Sequence, residues 1–245
     1  IEVDLKEIKL ILDPFNLKLN VKTFGSKLKS HDEIIEIENI KTQISLKSFI
    51  ENKFSIENLE ISTKSLKIKN LISFFRSFQN TPELFILEKS VKNGYLIADI
   101  KLEFDEKGKV KDNYITSGFL KDLKLNIFKK YNFQKLNSTF EYQKDNLSFN
   151  NMKFLFNDLN FLSKNISFKK VQNNFLVNGN INHKNIDIKE KNINSFLKPY
   201  LPEIDIKKLR LSSNNNFSFK VNKKFEFNDF KLDTKISIDE FSITN

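Results

Sequence analysis

Two histidines, His31 and His183, are the only imidazoles in a chain of 245 residues that has no cysteine. A zinc or other transition-metal site needs His, Cys or carboxylate groups converging at short spacing. Neither histidine has a second plausible ligand at that spacing, and both read as solvent-exposed loop residues. Without cysteine there is neither a disulfide framework nor a thiolate nucleophile. The strand-turn-helix serine motif, the HExxH zinc motif and the phosphate-cradling glycine loop are all missing from the sequence. Carboxylates are common but sit at wet positions. Asp99 falls opposite the apolar parity of its strand, and Asp105 and Glu106 in the run DEKGK read as a turn and not as an acid/base pair. The Asp, Asn and Gly residues between 105 and 113 lack the loop spacing that calcium requires. The chain reads as a non-enzyme without a cofactor.

The net charge is +10, from 41 Lys and Arg against 31 Asp and Glu. Such a balance raises nucleic acid, an anionic membrane surface or plain solubility as explanations. Arginine, the usual fork for phosphates and bases, occurs only at 76 and 210, and no long basic block is present. Lys153-Phe154, Phe168-Lys169-Lys170 and Phe219-Lys220 interleave charge with aromatic rings. A base-stacking platform needs both on one surface, whereas period-two alternation sends them to opposite faces. No nucleic-acid partner is expected.

The elements that carry these residues are mostly strands. Apolar residues fall on every second position from Leu136 to Ile181: Phe140 and Tyr142, Leu147 and Phe149, Phe154 and Phe156, Ile166 and Phe168, Phe175 and Val177. Lys, Asn, Ser, Asp and Gln fill the gaps, which is the pattern of strands with one dry and one wet face. The short polar breaks suit hairpin turns. Similar runs cover 1–24, with a turn at Asp13-Pro14, and 95–127; a loop is expected over 25–32 and a parity shift near Asn39-Ile40. Helical spacing predicts short helices at about 45–51, capped by Ser45, at 70–79, at 82–92 and at 192–201. In the third, Thr81-Pro82-Glu83 makes the start and Asn93-Gly94 the stop. The chain opens at Ile1 inside an apparent strand and closes on another, so 1–245 reads as one continuous segment of a longer protein, with possible sub-units 1–92, 93–188 and 189–245. The 26 Phe and absence of Trp give this sheet an unusually large, purely apolar face.

The run ISLKSFI (44–50), followed by FSIENLEISTKSLKIKNLISFF (54–75), resembles the recurring unit of the AsmA-like family, whose members include the TamB and YhdP types. PELFILEKSVKNGYLIADIKLEFDEKGKVKDNYITSGFLKDLKLN (82–126) is similar to the central region of the YhdP type, and NNMKFLFNDLNF and NNFLVNGNINHKNIDI share its texture. The resemblance implies a mainly β fold, a long twisted antiparallel sheet curled into an open hydrophobic groove. It implies a bridge-like lipid-transfer segment in the periplasm of a diderm bacterium. The anchor at the inner membrane and the contacts with both membranes would lie outside this segment, and phospholipid would be the partner. The wall of such a groove would be drawn from Ile100, Leu102, Phe104, Leu125, Ile127, Phe140, Phe149, Phe154, Phe156, Phe168, Phe175, Val177, Phe217 and Phe219. An apolar wall suits sliding acyl chains because its contacts are weak and non-directional, while the strand ladder satisfies the backbone.

Alternation alone equally describes a structural β-sandwich or adhesin-like domain with no ligand, in which the Phe-rich face is a core. The two differ in one visible respect. A groove leaves that face open; a sandwich covers it with a second apolar layer.

Overall fold

The computed structural model describes residues 2–244 other than 31–32, 80, 128–130, 157–158, 189, 191–192, 195–197, 201 and 223–225. The chain is mainly β, an open, unclosed sheet with few short helices. Its strands are β1 (Glu2–Asp4), β2 (Glu7–Asp13), β3 (Lys18–Phe24), β4 (Lys27–Ser30), β5 (Glu33–Ser45), β6 (Ile56–Thr63), β7 (Leu66–Lys67), β8 (Val91–Glu103), β9 (Ile115–Ile127), β10 (Tyr131–Gln143), β11 (Asn146–Phe156), β12 (Leu159–Val171), β13 (Asn174–Ile188), β14 (Asp205–Asn222) and β15 (Phe227–Thr244). The main order is β1-β4-β5-β6-β8-β9-β10-β11-β12-β13-β14-β15, with β2 on β3, β3 on β5, and β7 on β8. Strands adjacent in sequence are mostly adjacent in the sheet, as short polar connections demand. The chain divides into two compact units, residues 1–149 and 150–245.

Inside the strands, parity is repeatedly reset by bulges. In the β9–β10 pairing Ser138 meets Leu120, Leu136 meets Leu123 and Phe133 meets Leu125. One extra residue on each strand, next to Asp122 (φ 49°) and Lys135 (φ 50°), keeps Leu120, Leu123 and Leu125 on one face with Leu136 and Phe133. A bulge at Asn185 (φ 52°) does the same for His183 and Ile186 in β13. Asn and Asp tolerate the left-handed region better than most side chains. Asn151 (φ 52°) stands inside β11, so the Asn150-Asn151 break is part of a strand, whereas Lys144-Asp145 is the β10–β11 turn.

Unit 1 carries the helices. Helix α1 (Leu46–Ile50) is capped by Ser45, whose Oγ accepts from Ser48 N at 3.2 Å. Helix α2 (Ile68–Arg76) begins two residues before the expected 70–79 segment and ends earlier. Helix α3 (Pro82–Ser90) is capped by Thr81, whose Oγ1 accepts from Leu84 N at 3.4 Å. It stops before the predicted residue 92, because β8 already starts at Val91. Gly94, expected as the helix stop, lies in that strand at φ 139°, where a Cβ would come within 2.8 Å of Leu123 Cα. The expected loop over 25–32 contains β4, which pairs with both β1 and β5. Of the expected helix at 192–201, residues 192, 195–197 and 201 lie outside the described residues; Ile193 is buried, and Asn194 Oδ1 accepts from Ile206 N at the start of β14 at 2.9 Å.

The unit 1 core lies under α2. Ile35, Ile37, Leu66 and Phe74 form a buried cluster, with Leu28, Ile40, Ile61 and Leu71 packed against it. The Phe74 ring meets Phe78 at 5.0 Å, edge to face. Arg76 ties α2 to α3 through an ion pair with Glu88 and sits over the Phe85 ring at 5.5 Å. Among the described residues no helix is long and apolar enough to cross a membrane.

Candidate functional site

In an antiparallel pair, residues directly opposite share a face, so the register defines the surface. In unit 2, Phe168 meets Val177, which meets Phe219 on the next strand. One step along, Ile166, Gly179, Phe217 and Leu232 form a row across four strands. Farther on, Ile186, Leu211 and Ile238 make another, and Phe175, Val221 and Phe227 lie at the opposite end. Phe154 stacks on Phe161 at 5.2 Å and Phe156 meets the same ring edge-on at 6.0 Å, which adds β11 and β12 to this surface.

Among the described residues, β13, β14 and β15 pack chiefly on their neighbours in the sheet, and Asn194 is bonded to Ile206 at the start of β14. On β15 the apolar face is wide open: Phe227 is 67% exposed, Phe230 65% and Ile238 63%. Contiguous exposed apolar surface on folded chains is where partners or ligands commonly bind. The backbones of β13 and β14 are paired on both sides, and β15 pairs with β14 along one edge.

The reverse face is wet. Asn180 Nδ2 donates to Asn214 Oδ1 at 2.6 Å and to Asn216 Oδ1 at 2.8 Å. Arg210 pairs with Asp187 at 2.8 Å and with Glu240 at 3.2 Å, and Lys220 with Asp229 at 2.7 Å. Lys164, Lys184 and Lys235 line a depression there together with Asn182, Asn214 and Ser237.

Unit 1 repeats the pattern. Leu10, Val21, Thr42, Leu59 and Leu102 make one row, and Ile8, Thr23, Ile40, Ile61 and Ile100 the next. Leu10 on β2 is 62% exposed. Phe140 stands opposite Gly118, with its ring where a Cβ on that glycine would be, at 2.9 Å. Phe217 covers Gly179 in the same way, at 2.4 Å. Glycine leaves the space and the aromatic ring of the neighbouring strand fills it.

The structure brings most of the expected wall residues onto these faces. Ile100, Leu102, Leu125, Ile127 and Phe140 share the unit 1 face, and Phe104 continues it beyond β8, with its ring 5.5 Å from that of Phe54. Phe154, Phe156, Phe168, Phe175, Val177, Phe217 and Phe219 share the unit 2 face. Phe149 lies in β11, in the last position of unit 1. Exposure sorts them: Val177 (2%) and Phe154 (8%) are buried among neighbours, while Phe175 is open. Phe161, Phe227, Phe230, Leu232 and Ile238 were not in the expected wall. The alternation of β15 from Phe230 onward carries that signal; Phe161 needs its ring stack to be recognised.

His183 is a correction. It lies within β13 and not in a loop, on the apolar face, against the Phe161 ring. Its Nδ1 is 2.8 Å from the Asn160 carbonyl oxygen. Burial holds its pKa below the ordinary imidazole value, although the Asn160 carbonyl pulls the other way. His31 lies outside the described residues. Asp99 is exposed on the wet face, opposite Ser62 and Ser117. Asp105 builds a turn: its Oδ1 accepts from Lys107 N and Lys109 N, both at 2.9 Å, and these contacts hold its carboxyl below the usual range.

No family model matches the chain, and no curated protein or solved structure matches it.

Proposed function

We propose that the apolar sheet face is a lipid-contact surface, on which phospholipid acyl chains lie and slide, as in the AsmA-like bridge proteins that the sequence resembles. On this reading the sheet curls into a groove, and the chain serves lipid movement between inner and outer membranes from the periplasm. Its membrane attachments lie outside the segment. The observation that carries the proposal is the Phe- and Ile-rich face of β15, whose side chains stand largely in solvent while the strand is held to β14 by its ladder. Each methylene moved from water onto such a face contributes about 0.8 kcal/mol, so a long acyl chain binds without any directional contact. Weak, repeated contacts also let it move along the strands. The Lys-rich reverse face keeps the sheet in water.

The test is lipid extraction and native mass spectrometry of the purified chain, followed by delipidation. Phospholipid should co-purify, and Phe230→Asp should reduce its amount several-fold while the β content is kept. Phe230 suits this test because it is largely exposed, whereas Phe154→Asp buries a carboxylate in a ring stack and would unfold β11 and β12. Absence of lipid, with stability indifferent to delipidation, overturns the proposal. A ligand-free structural sheet predicts instead that the face is covered by a second copy, seen as a dimer that Phe230→Asp dissociates.

A further inference from the structure

One depression in the unit 2 face, about 430 Å³, is walled by Phe161, Phe217, Phe219, Phe230 and Leu232. That volume is within the range of small-ligand sites. Two polar side chains, His183 and Asn215, interrupt the apolar wall. Their hydrogen-bond roles follow from their partners. The Asn160 carbonyl only accepts, so His183 Nδ1 carries the proton and donates to it at 2.8 Å. In the neutral ring Nε2 is then a lone-pair acceptor. Asn215 Nδ2 donates to the Ile181 carbonyl and to Ser213 Oγ, both at 3.0 Å, which uses both amide hydrogens and fixes the orientation of the group. Its Oδ1 is left as an acceptor. Neither His183 Nε2 nor Asn215 Oδ1 has a protein partner among the described residues.

Among the lining residues, His183 Nε2 and Asn215 Oδ1 are thus the acceptors left without a protein partner, and no lining side chain carries a charge. An ester carbonyl or a carboxylate finds nothing to accept from there. A hydroxyl or an ammonium group does. Resting on the lipid-face reading, we propose that this depression seats a single-chain amphiphile whose head donates a hydrogen bond to His183 Nε2 or Asn215 Oδ1. The chain lies against Phe161, Phe217, Phe219 and Phe230. Burial of the imidazole favours the neutral form that supplies the Nε2 acceptor.

The test compares dodecanol, dodecylammonium and methyl dodecyl ether on the intact chain, by displacement of a solvatochromic dye at neutral pH. The tail is shared and only the head differs. Dodecanol should bind about five-fold tighter than the ether, the worth of one net hydrogen bond. Dodecylammonium should exceed both if the natural head is cationic, and should fall below dodecanol if it is a hydroxyl. Asn215→Leu and His183→Leu should each shrink the alcohol-to-ether ratio while leaving ether binding in place. Equal binding of alcohol and ether to the unaltered chain overturns the polar seat and leaves the lipid face standing. A preference that survives both substitutions also overturns it. Failure of all three ligands to bind overturns the lipid-face reading itself. Because the ligand series is read on the unaltered chain, a variant that fails to fold does not block the decision.

Discussion

Units 1 and 2 are built from the same kind of strand, yet they treat the apolar face differently. In unit 1, α2 drops Phe74 onto the sheet and makes a closed cluster with Ile35, Ile37 and Leu66. In unit 2 the described residues place no such helix over β14 and β15, and the face remains in solvent. The first unit holds a conventional core at one end of its face. The second relies on neighbour-to-neighbour packing across strands and leaves its outer rows available. A sheet can thus obtain stability from one part of a surface and binding capacity from another, provided a helix pair covers only the first.

The sharpest way to break this comparison is a pair of truncations read by hydrogen exchange on the intact chain. Phe74→Ala should cost about 3–5 kcal/mol, as for a large ring removed from a packed core, and should strip protection from β5 and β8. Phe230→Ala should cost less than about 1 kcal/mol, in line with its exposure. Comparable losses would mean that the unit 2 face is a hidden core.

A smaller effect separates the two glycine–phenylalanine pairs. Gly118→Ala and Gly179→Ala should each destabilise by about 1–3 kcal/mol through overpacking. A Cβ on Gly179 strikes the Phe217 ring, so adding Phe217→Leu should recover much of the loss. A Cβ on Gly118 also strikes the Ile97 carbonyl oxygen at 2.0 Å, so trimming Phe140 should rescue little. Equal rescue, measured by urea midpoints, would contradict that distinction.

Removing the helix caps gives a lesser change. Ser45→Ala and Thr81→Ala should each cost about 1 kcal/mol, and exchange should report it only within unit 1. The smallest effect is a pH dependence peculiar to unit 2. The folded-state pKa of His183 is depressed by burial, so the unfolded chain takes up a proton at higher pH than the folded one. The stability from its neutral form is therefore fully present above the ordinary value of about 6.5 and is lost as pH falls from there through the folded pKa. His183→Phe should flatten that part of the pH profile. The depressed carboxyls of Glu36, Asp105 and Asp229 titrate in a lower window and should remain visible in the variant.

Alternation by itself determined the fold class, because a period of two is a geometric property of an extended backbone and survives any later packing. It also placed Phe140, Phe168 and Phe219 on the apolar faces of their strands, and the sequence marked the caps at Ser45 and Thr81, whose hydrogen bonds are local. Where the pattern slipped by one residue, the sequence could not distinguish a turn from a bulge. Asn150-Asn151 and Lys144-Asp145 are both short and polar, and only pairing with a neighbouring strand shows that the first stays inside β11 and the second reverses the chain. The same limit hid β4, four residues long and defined by its partners β1 and β5. It also hid His183, whose setting depends on Phe161 from β12 and on the Asn160 carbonyl. Which rows of the apolar face are covered and which stand open was decided by tertiary structure alone, because exposure depends on what α2 reaches and not on the residues of the strand itself.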